Sequence, residues 1–263
     1  MRTRLQTAID DHVVEIVLNR PDKHNAVDML MFDELGELGA SLAADRSVRA
    51  VVLRGAGENF CAGIDLGVFS SADSAIDAEA LAPLKGTPAN RFQRAAYVWR
   101  ELPVPVICAI QGVAFGAGLQ IALGADLRYA TPDAKLSIME IRWGLIPDLA
   151  ITVTASNLVR PDRLRELAYT GRVVSGREAY EIGLLTAVHE DPLAAARDTA
   201  RHIAAKSPDA IRAMKTMFNE CRDLDETRSL ALEAALQAGV LKGANQKEAV
   251  VANMAGREPD FAD

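Results

Sequence analysis

The chain has 263 residues, of which 49% are hydrophobic and 25% are charged, and its formal net charge is −7 at pH 7. A chain of this size and composition can bury a large core, as one domain or as two. The negative charge and the lack of a Lys/Arg-rich block argue against a nucleic acid as the main partner, because phosphate binding requires clustered cations.

Cysteine and histidine usage argues against a secreted protein and against a metalloprotein. The cysteines, Cys61, Cys108 and Cys221, are widely spaced and odd in number, which matches neither a disulfide framework nor a zinc-binding pattern. The four histidines show no HExxH or H-x3-H spacing, so no metal is expected. Residues 1–19 contain no long apolar stretch of the kind found in secretory signals. These features predict a cytoplasmic protein.

One uncharged stretch, residues 102–125, is long enough to cross a bilayer. It contains prolines, glutamines and several glycines, and acidic residues flank it at both ends. A buried strand, loop and helix fit this composition better than a membrane span, so no membrane association is predicted.

Strand and helix patterns alternate over the first part of the chain. Apolar runs predict strands at residues 13–18, 50–53, 105–110, 127–130 and 135–138. Helical spacing of apolar residues predicts helices at residues 28–43, 91–102, 149–158, 162–169 and 176–182, and further helices at 192–206 and over most of 209–255. Asp28 is placed to cap the first of these helices.

These patterns predict an α/β fold with two parts that form one structural unit, a strand-and-helix core at residues 1–190 and a helical region at 191–263. The apolar faces of the second part exceed what capping the core requires, so contact with another subunit is expected. The small, polar segment 70–90 is expected to form a mobile loop that acts as a lid or specificity element.

Two glycine-rich loops are the most informative features, residues 58–66 (ENFCAGIDL) and residues 111–126 (QGVAFGAGLQIALGAD). An apolar strand, residues 105–110, leads into the second loop, and a helix is expected to start near Gly118. If the two loops face one another, two backbone N–H groups can point at one carbonyl oxygen as it gains negative charge. Two such donors are the apparatus that an enzyme needs to make an enolate from a thioester.

Four motifs resemble the crotonase (enoyl-CoA hydratase/isomerase) superfamily in order and spacing: LNRPDKHNAVD, GAGENFCAGIDL, PVICAIQGVAFGAGLQIALGADLRYA and AKLSIMEIRWGLIPD. The resemblance covers nearly the whole chain. It implies a crotonase-like spiral of ββα units and a C-terminal α-helical trimerisation region, with trimers commonly paired into hexamers. It also implies an acyl-CoA thioester substrate, with coenzyme A as part of that substrate, and neither a redox cofactor nor a metal.

By the same resemblance, the backbone N–H groups of Ile64 and Ala117 are the two donors of the oxyanion hole. Relatives bind coenzyme A around the first loop and the turn after the first strand, and the substrate-binding positions implied here are Lys23, His24, Ala26, Ala62, Gly63, Asp65, Leu66 and Gly116. Many relatives have a lysine soon after the first loop, where this chain has Gly67. Arg257 matches a region where relatives place basic residues near the coenzyme A phosphates, although an exposed tail arginine explains it equally well.

The family's hydratases carry catalytic carboxylates at the positions of Gln120 and Glu140. Glutamine has no titratable proton near neutral pH, so the amide at 120 disfavours a standard hydratase. Asp148 lies eight residues after Glu140, and the dienoyl-CoA isomerase branch carries acids at both positions. We therefore expect Glu140 to be the principal acid/base, Asp148 its partner, and Gln120 a polar orienting group.

Other interpretations of these residues stay open at this point. Asp148 could cap a helix, and Glu140 could form an ion pair with Arg142 or Arg165. Cys61 lies beside the expected site but has no evident basic partner, so a thiol nucleophile is not favoured.

The leading hypothesis for the reaction is double-bond isomerisation of an acyl-CoA. The alternatives are hydration of a 2-enoyl-CoA, with Glu140 and Gln120 holding water, and a non-catalytic acyl-CoA binder. A thioester hydrolase or decarboxylase would use the same oxyanion hole.

Overall fold

The computed structural model describes residues 2–69 and 80–263, so residues 70–79 of the expected lid segment lie outside the described part. The strands are β1 (Leu5–Asp10), β2 (Val13–Leu18), β3 (Ala50–Gly55), β4 (Val106–Ile110), β5 (Val113–Phe115), β6 (Leu127–Ala130), β7 (Lys135–Ser137), β8 (Val174–Ser175) and β9 (Ala187–Val188). The helices are α1 (Met29–Ala43), α2 (Arg91–Glu101), α3 (Ala117–Leu123), α4 (Ile151–Thr154), α5 (Pro161–Thr170), α6 (Gly176–Glu181), α7 (Pro192–Ala204), α8 (Pro208–Glu220), α9 (Glu226–Val240) and α10 (Ala244–Ala255). The predicted α/β class with a helical C-terminal region is confirmed.

The larger sheet has six strands in the order β1-β2-β3-β4-β6-β9. All its pairings are parallel except β1 with β2, which form a hairpin. Asp11 and His12 connect this hairpin with φ values of 41° and 68°, the left-handed backbone that matches the twist of paired strands. The carboxyl ends of the parallel strands therefore share one edge of the sheet.

Helices cover both faces of this sheet. Alternate residues of β3 separate the two layers, because Val51 and Leu53 belong to the core cluster that contains α1 and α2, whereas Val52 packs with α7. Helix α7 presents a row of buried alanines to the sheet, namely Ala196, Ala200 and Ala204. Helix α1 begins as expected, because the Asp28 carboxylate accepts a hydrogen bond from the N–H of Met31 at 2.9 Å.

The smaller sheet, β5-β7-β8, places the two glycine loops side by side. Strand β5 lies within the second loop, and an isolated bridge joins its Ala114 to Cys61 of the first loop. A second bridge joins Ile64 to Val27, in the turn after β2. The first loop is therefore held between that turn and β5.

The helical structure expected over most of 209–255 is present as three helices, α8, α9 and α10. The helix expected at 149–158 is only the single turn of α4. No residue of α9 is buried in the single chain. No helix within residues 2–69 and 80–263 is long and apolar enough to cross a membrane.

A buried lysine fastens α8 to the core. Lys215 Nζ donates to Asp126 Oδ2 at 2.7 Å and to the carbonyl oxygens of Trp99 and Val104 at 2.8 Å. Asp126 also accepts from the N–H of Val106 at 2.7 Å. Asp126 therefore joins α8 to the start of β4, a structural role.

Candidate active site

Both glycine loops open onto one cavity of about 520 Å³. Twelve of the residues expected from the sequence line it: Lys23, Ala26, Ala62, Gly63, Ile64, Asp65, Leu66, Gly116, Ala117, Gln120, Glu140 and Asp148. The rest of its wall is largely apolar. The cavity can therefore hold an apolar chain beside a small set of polar groups, as ligand sites commonly do.

The backbone of the first loop leaves the amide of Ile64 unpaired. The bridge to Val27 uses the carbonyl oxygen of Gly63, which accepts from Val27 N at 2.8 Å, and the N–H of Asp65, which donates to Val27 O at 2.9 Å. The N–H of Ile64 between them has no acceptor in residues 2–69 and 80–263. Since neighbouring amides of an extended strand point to opposite sides, it is directed away from Val27.

Gly63 allows the two loops to approach closely. Its φ is +103°, and a Cβ added there would lie 2.9 Å from the carbonyl oxygen of Phe115 in β5. A side chain at this position would push the loops apart and would disfavour the backbone conformation. The contact of the first loop with β5 therefore requires glycine.

The second loop presents the first turn of α3 to the same cavity. Gly116 adopts φ 49° and donates its N–H to Ser137 O at 2.9 Å, and α3 begins at the next residue, Ala117. The N–H of Ala117 is one of the first amides of a helix, which have no partner within the helix. No other described residue accepts a hydrogen bond from it.

Gln120, on α3, holds the carboxyl group of Glu140. Its Nε2 donates to Glu140 Oε1 at 2.6 Å, and its Oε1 accepts from the N–H of Leu149 at 2.8 Å. Gln120 is 1% exposed, so both contacts form away from solvent. These two bonds orient the amide and fix Glu140 relative to the segment that carries Asp148.

The second oxygen of Glu140, Oε2, is enclosed and has no hydrogen-bond partner among the described residues. The carboxyl group lies against the second loop, because a Cβ on Gly116 would be 3.2 Å from Glu140 Oε1. An enclosed carboxyl oxygen without a hydrogen bond lowers the stability of the fold. Its presence here therefore calls for a functional explanation.

The pKa of Glu140 is raised, chiefly because burial disfavours its charged form. The hydrogen bond from Gln120 opposes this rise, and the negative charge of Asp148 adds to it. Between the ordinary pKa of a glutamate and this raised value, the side chain therefore carries a proton that a solvent-exposed glutamate would have lost. Such a group can both accept and donate a proton nearer to neutral pH.

Asp148 lies at the exposed side of the cavity. Desolvation raises the pKa of Asp148, and a hydrogen bond to the carboxylate from its own backbone N–H opposes this rise. It does not cap a helix, because the helix that follows begins after Ala150 without a side-chain cap. Glu140 forms no ion pair with Arg142, Arg165 or any other described cation.

The interpretation of Cys61 as a non-nucleophile agrees with its environment. The residue is buried, its Sγ donates to Asn25 O at 3.1 Å, and burial raises the pKa of the thiol to about 12. A thiol with this pKa stays protonated at neutral pH and is a poor nucleophile.

Two expected substrate-binding residues do not line the cavity. The ring Nδ1 of His24 lies 3.0 Å from Asn59 Nδ2, at an exposed position. Arg257 forms a two-pronged ion pair with Glu248, at 2.6 and 3.0 Å. The guanidinium is occupied by this carboxylate, so within one chain Arg257 behaves as a surface residue rather than part of the cavity.

Two residues that hold the turn after β2 were not singled out from the sequence. Arg20 donates to Asp65 Oδ2 at 2.9 Å and to the carbonyl oxygen of Ala26, both at the cavity wall. The buried Asn25 donates to the carbonyl oxygens of Ala56 and Asn59. Their signal was present in the motif NRPDKHN, because Asn is among the residues that tolerate the positive φ, 57°, adopted at position 25.

Most residues of the apolar wall of the cavity were also not identified from the sequence. The wall comprises Phe32, Val68, Leu81, Phe92, Met139, Trp143, Leu145, Ile146 and Leu149. Helical periodicity marks an apolar residue as inward-facing without separating core from cavity.

The known proteins that this chain resembles are named as acyl-CoA enzymes, which agrees with the residues that line the cavity. The family model for enoyl-CoA hydratase/isomerase matches residues 8–263. The chain is 34% identical to the 1,2-epoxyphenylacetyl-CoA isomerase of Escherichia coli K12 over 257 residues, which are 96% of each chain. It is 32% identical to the mitochondrial Delta(3,5)-Delta(2,4)-dienoyl-CoA isomerase of Mus musculus, covering 96% of this chain and 79% of that protein.

Among solved structures, the crystal structure of a putative enoyl-CoA hydratase from Streptomyces coelicolor A3(2) superposes with a TM-score of 0.91 at 30% identity. The match covers 100% of this chain and 95% of that one. The chain therefore belongs to the enoyl-CoA hydratase/isomerase family, within the crotonase superfamily, and is an enzyme of the hydratase/isomerase type.

Proposed function

We propose that this enzyme isomerises a double bond in an acyl-CoA thioester. The observation that carries the proposal is the Glu140 carboxyl group, which lines the same cavity as the unpaired amides of Ile64 and Ala117. Gln120 holds its Oε1, and its Oε2 has no hydrogen-bond partner among the described residues. One proton-transfer group next to two N–H donors suits a reaction that moves a proton and adds nothing.

In this mechanism the thioester oxygen accepts hydrogen bonds from the N–H groups of Ile64 and Ala117. Glu140 Oε2 removes a proton from a carbon acidified by the thioester, and the electron pair moves onto the oxygen as an enolate or dienolate. The protonated Glu140, with Asp148 as a second proton carrier, then returns a proton to a carbon farther along the chain. The double bond is shifted and the atoms balance.

Gln120 acts as a positioning residue in this proposal. Its donor lies on Glu140 Oε1 and its acceptor lies on Leu149 N, so both ends of the amide are engaged by the protein. The contact on Oε1 leaves Oε2 free in either protonation state. This arrangement favours isomerisation over hydration, which would need Gln120 as a ligand for the attacking water.

The substrate's coenzyme A portion is proposed to lie along Lys23, Ala26, Ala62, Asp65 and Leu66, and its acyl chain along the apolar wall. No redox cofactor or metal takes part in the proposed steps. The isomerases named above, whose substrates are acyl-CoA thioesters by their names, support this substrate class.

Assembly into trimers or hexamers and a cytoplasmic location are part of the same proposal. Several large apolar side chains of the C-terminal helices are exposed in the single chain, including Phe218 at 71%, Leu230 at 65% and Met254 at 85%. Such a surface supports contact with further copies.

Oxygen labelling separates isomerisation from hydration. We expect 3-enoyl- and 3,5-dienoyl-CoA substrates, incubated with the enzyme in ¹⁸O-labelled water, to be converted to isomers that liquid chromatography separates from the substrate. Mass spectrometry of these isomers should show unchanged mass and no labelled oxygen. A 2-enoyl-CoA should remain unhydrated at the same enzyme concentration. Rapid gain of one labelled water by 2-enoyl-CoA would make the enzyme a hydratase, and no conversion of any substrate would favour a binder.

A further inference from the structure

A second cavity, of about 300 Å³, lies at the carboxyl end of α3 and shares no lining residue with the first. Three arginines line it, Arg100 from α2, Arg128 from β6 and Arg222 from the 3-10 turn after α8. In a chain of formal net charge −7, such a concentration of guanidinium groups around one cavity is unexpected. None of the three has a role in the proposed reaction.

Arg128 is buried without a carboxylate partner. It is 4% exposed, its Nε donates to Leu184 O at 2.9 Å, and its Nη1 donates to Ala125 O. Its Nη2 has no acceptor among residues 2–69 and 80–263, yet it is not one of the fully enclosed unpartnered atoms. Arg128 lines the second cavity, and a buried cation without a paired carboxylate is costly.

The other two guanidiniums are held in place by the protein. Arg100 Nη1 donates to Asn219 Oδ1 at 2.9 Å, and Asn219 Nδ2 donates back to Arg100 O at 3.0 Å. Arg222 Nη1 donates to Val153 O, and its Nε and Nη2 both pair with Asp223, at 3.2 and 3.1 Å, so part of its charge is already offset. A ligand would thus meet cations whose conformational freedom is already restricted.

The cavity's own carboxylate does not neutralise these cations. Asp126 lines the cavity, but its Oδ2 is shared between the ammonium of Lys215 and the N–H of Val106, both at 2.7 Å. Asp126 also attracts the guanidinium of Arg128, so its one negative charge is shared between two cations and positive charge remains in excess around the cavity.

We propose that this second cavity binds a small oxyanion, a carboxylate or a phosphate group, between Arg128, Arg100 and Arg222. Guanidinium groups match the geometry of both oxyanions and form charge-assisted hydrogen bonds with them. The bound anion would supply the paired negative group that Arg128 lacks and would join β6, α2 and the turn after α8.

Isothermal titration of the full chain with inorganic phosphate, and separately with acetate, at constant ionic strength tests the proposal. We expect saturable binding of one anion per chain, and the tighter of the two identifies the preferred oxyanion. Replacement of Arg128 endangers the fold because it anchors two carbonyl groups, so Arg222→Gln and Arg100→Gln are the test variants. Loss of one charge-assisted contact should raise Kd about tenfold or more in each.

Two variants serve as controls, with folding of every variant checked by circular dichroism. Lys23→Gln removes a cation from the first cavity, and Arg163→Gln removes one from the surface of α5; both should leave Kd unchanged. The proposal is overturned if neither anion binds saturably, if Arg222→Gln and Arg100→Gln bind like the unmodified chain, or if Lys23→Gln abolishes binding.

Discussion

Replacing Glu140 with glutamine is expected to lower kcat for isomerisation by about 10²- to 10⁴-fold, the usual contribution of a positioned acid/base group. An amide in place of the carboxyl group can still accept the hydrogen bond from Gln120 through its Oε1. The variant should therefore keep the fold and the substrate-binding wall while losing the titratable oxygen, Oε2. Steady-state kinetics with the best substrate of the labelling panel measure the effect.

A second readout separates proton transfer from binding. In D2O, Glu140→Gln should slow deuterium uptake into the bound acyl-CoA by a similar factor, with KM changed little. Glu166→Gln, a change in a half-buried ion pair with Arg172 outside the cavity, is the matched control and should leave both rates unchanged. A Glu140→Gln variant with unaltered turnover would remove this residue from the mechanism.

Replacing Gly63 with alanine is expected to lower kcat by about a hundredfold or more. The new Cβ would lie 2.9 Å from Phe115 O, so the first loop must move, and with it the adjacent N–H of Ile64. Loss of one donor to a developing oxyanion typically costs 10²- to 10³-fold in rate, roughly. Kinetics and thermal unfolding of the same preparation measure the two consequences separately.

Gly256→Ala is the matched control, because Gly256 also has a positive φ, 63°, but no atom lies within 4 Å of an added Cβ. Both variants place alanine in a left-handed conformation, so both should lose some stability, and only Gly63→Ala should lose activity. A folded Gly63→Ala enzyme with kcat within about twofold of the original would contradict a role for the Ile64 amide.

Strands and helices that bury a long apolar face were predictable from sequence, whereas several short or little-buried strands were missed. Strands β2 and β4 and helix α1 appeared close to their predicted bounds because their apolar residues face a core. Strand β1 was missed because only Leu5 of its six residues is buried, so no alternation marks it. Its hairpin turn uses Asp11 and His12, which lack the usual glycine signal.

The short strands β8 and β9 were not predicted from the sequence, for a different reason. Each has two residues and is defined by pairing with a distant strand, β7 or β6, which no local pattern encodes. Within the second glycine loop, β5 was hidden in the same way, although its bridge to Cys61 is what brings the two loops together.

At the site, the motifs located the polar residues but not the contacts among them. Gln120 was expected to orient a polar group, and the structure identifies its two partners, Glu140 and the N–H of Leu149. Arg257 was expected near the coenzyme A phosphates only because it lies in a region where relatives have basic residues. In the structure its side chain pairs with Glu248 instead. Side-chain partners depend on tertiary distances, which spacing along a chain does not fix.

A crystal structure of the enzyme with a bound, non-isomerisable acyl-CoA would show whether both amides and Glu140 act on one substrate. We expect the thioester oxygen at about 2.7 to 3.1 Å from both the Ile64 and Ala117 nitrogens, the distance range of an oxyanion hole. We also expect Glu140 Oε2 within about 3.5 Å of the carbon that loses its proton. A thioester oxygen bound elsewhere, or a Glu140 carboxyl turned away from the acyl chain, would contradict the proposed mechanism.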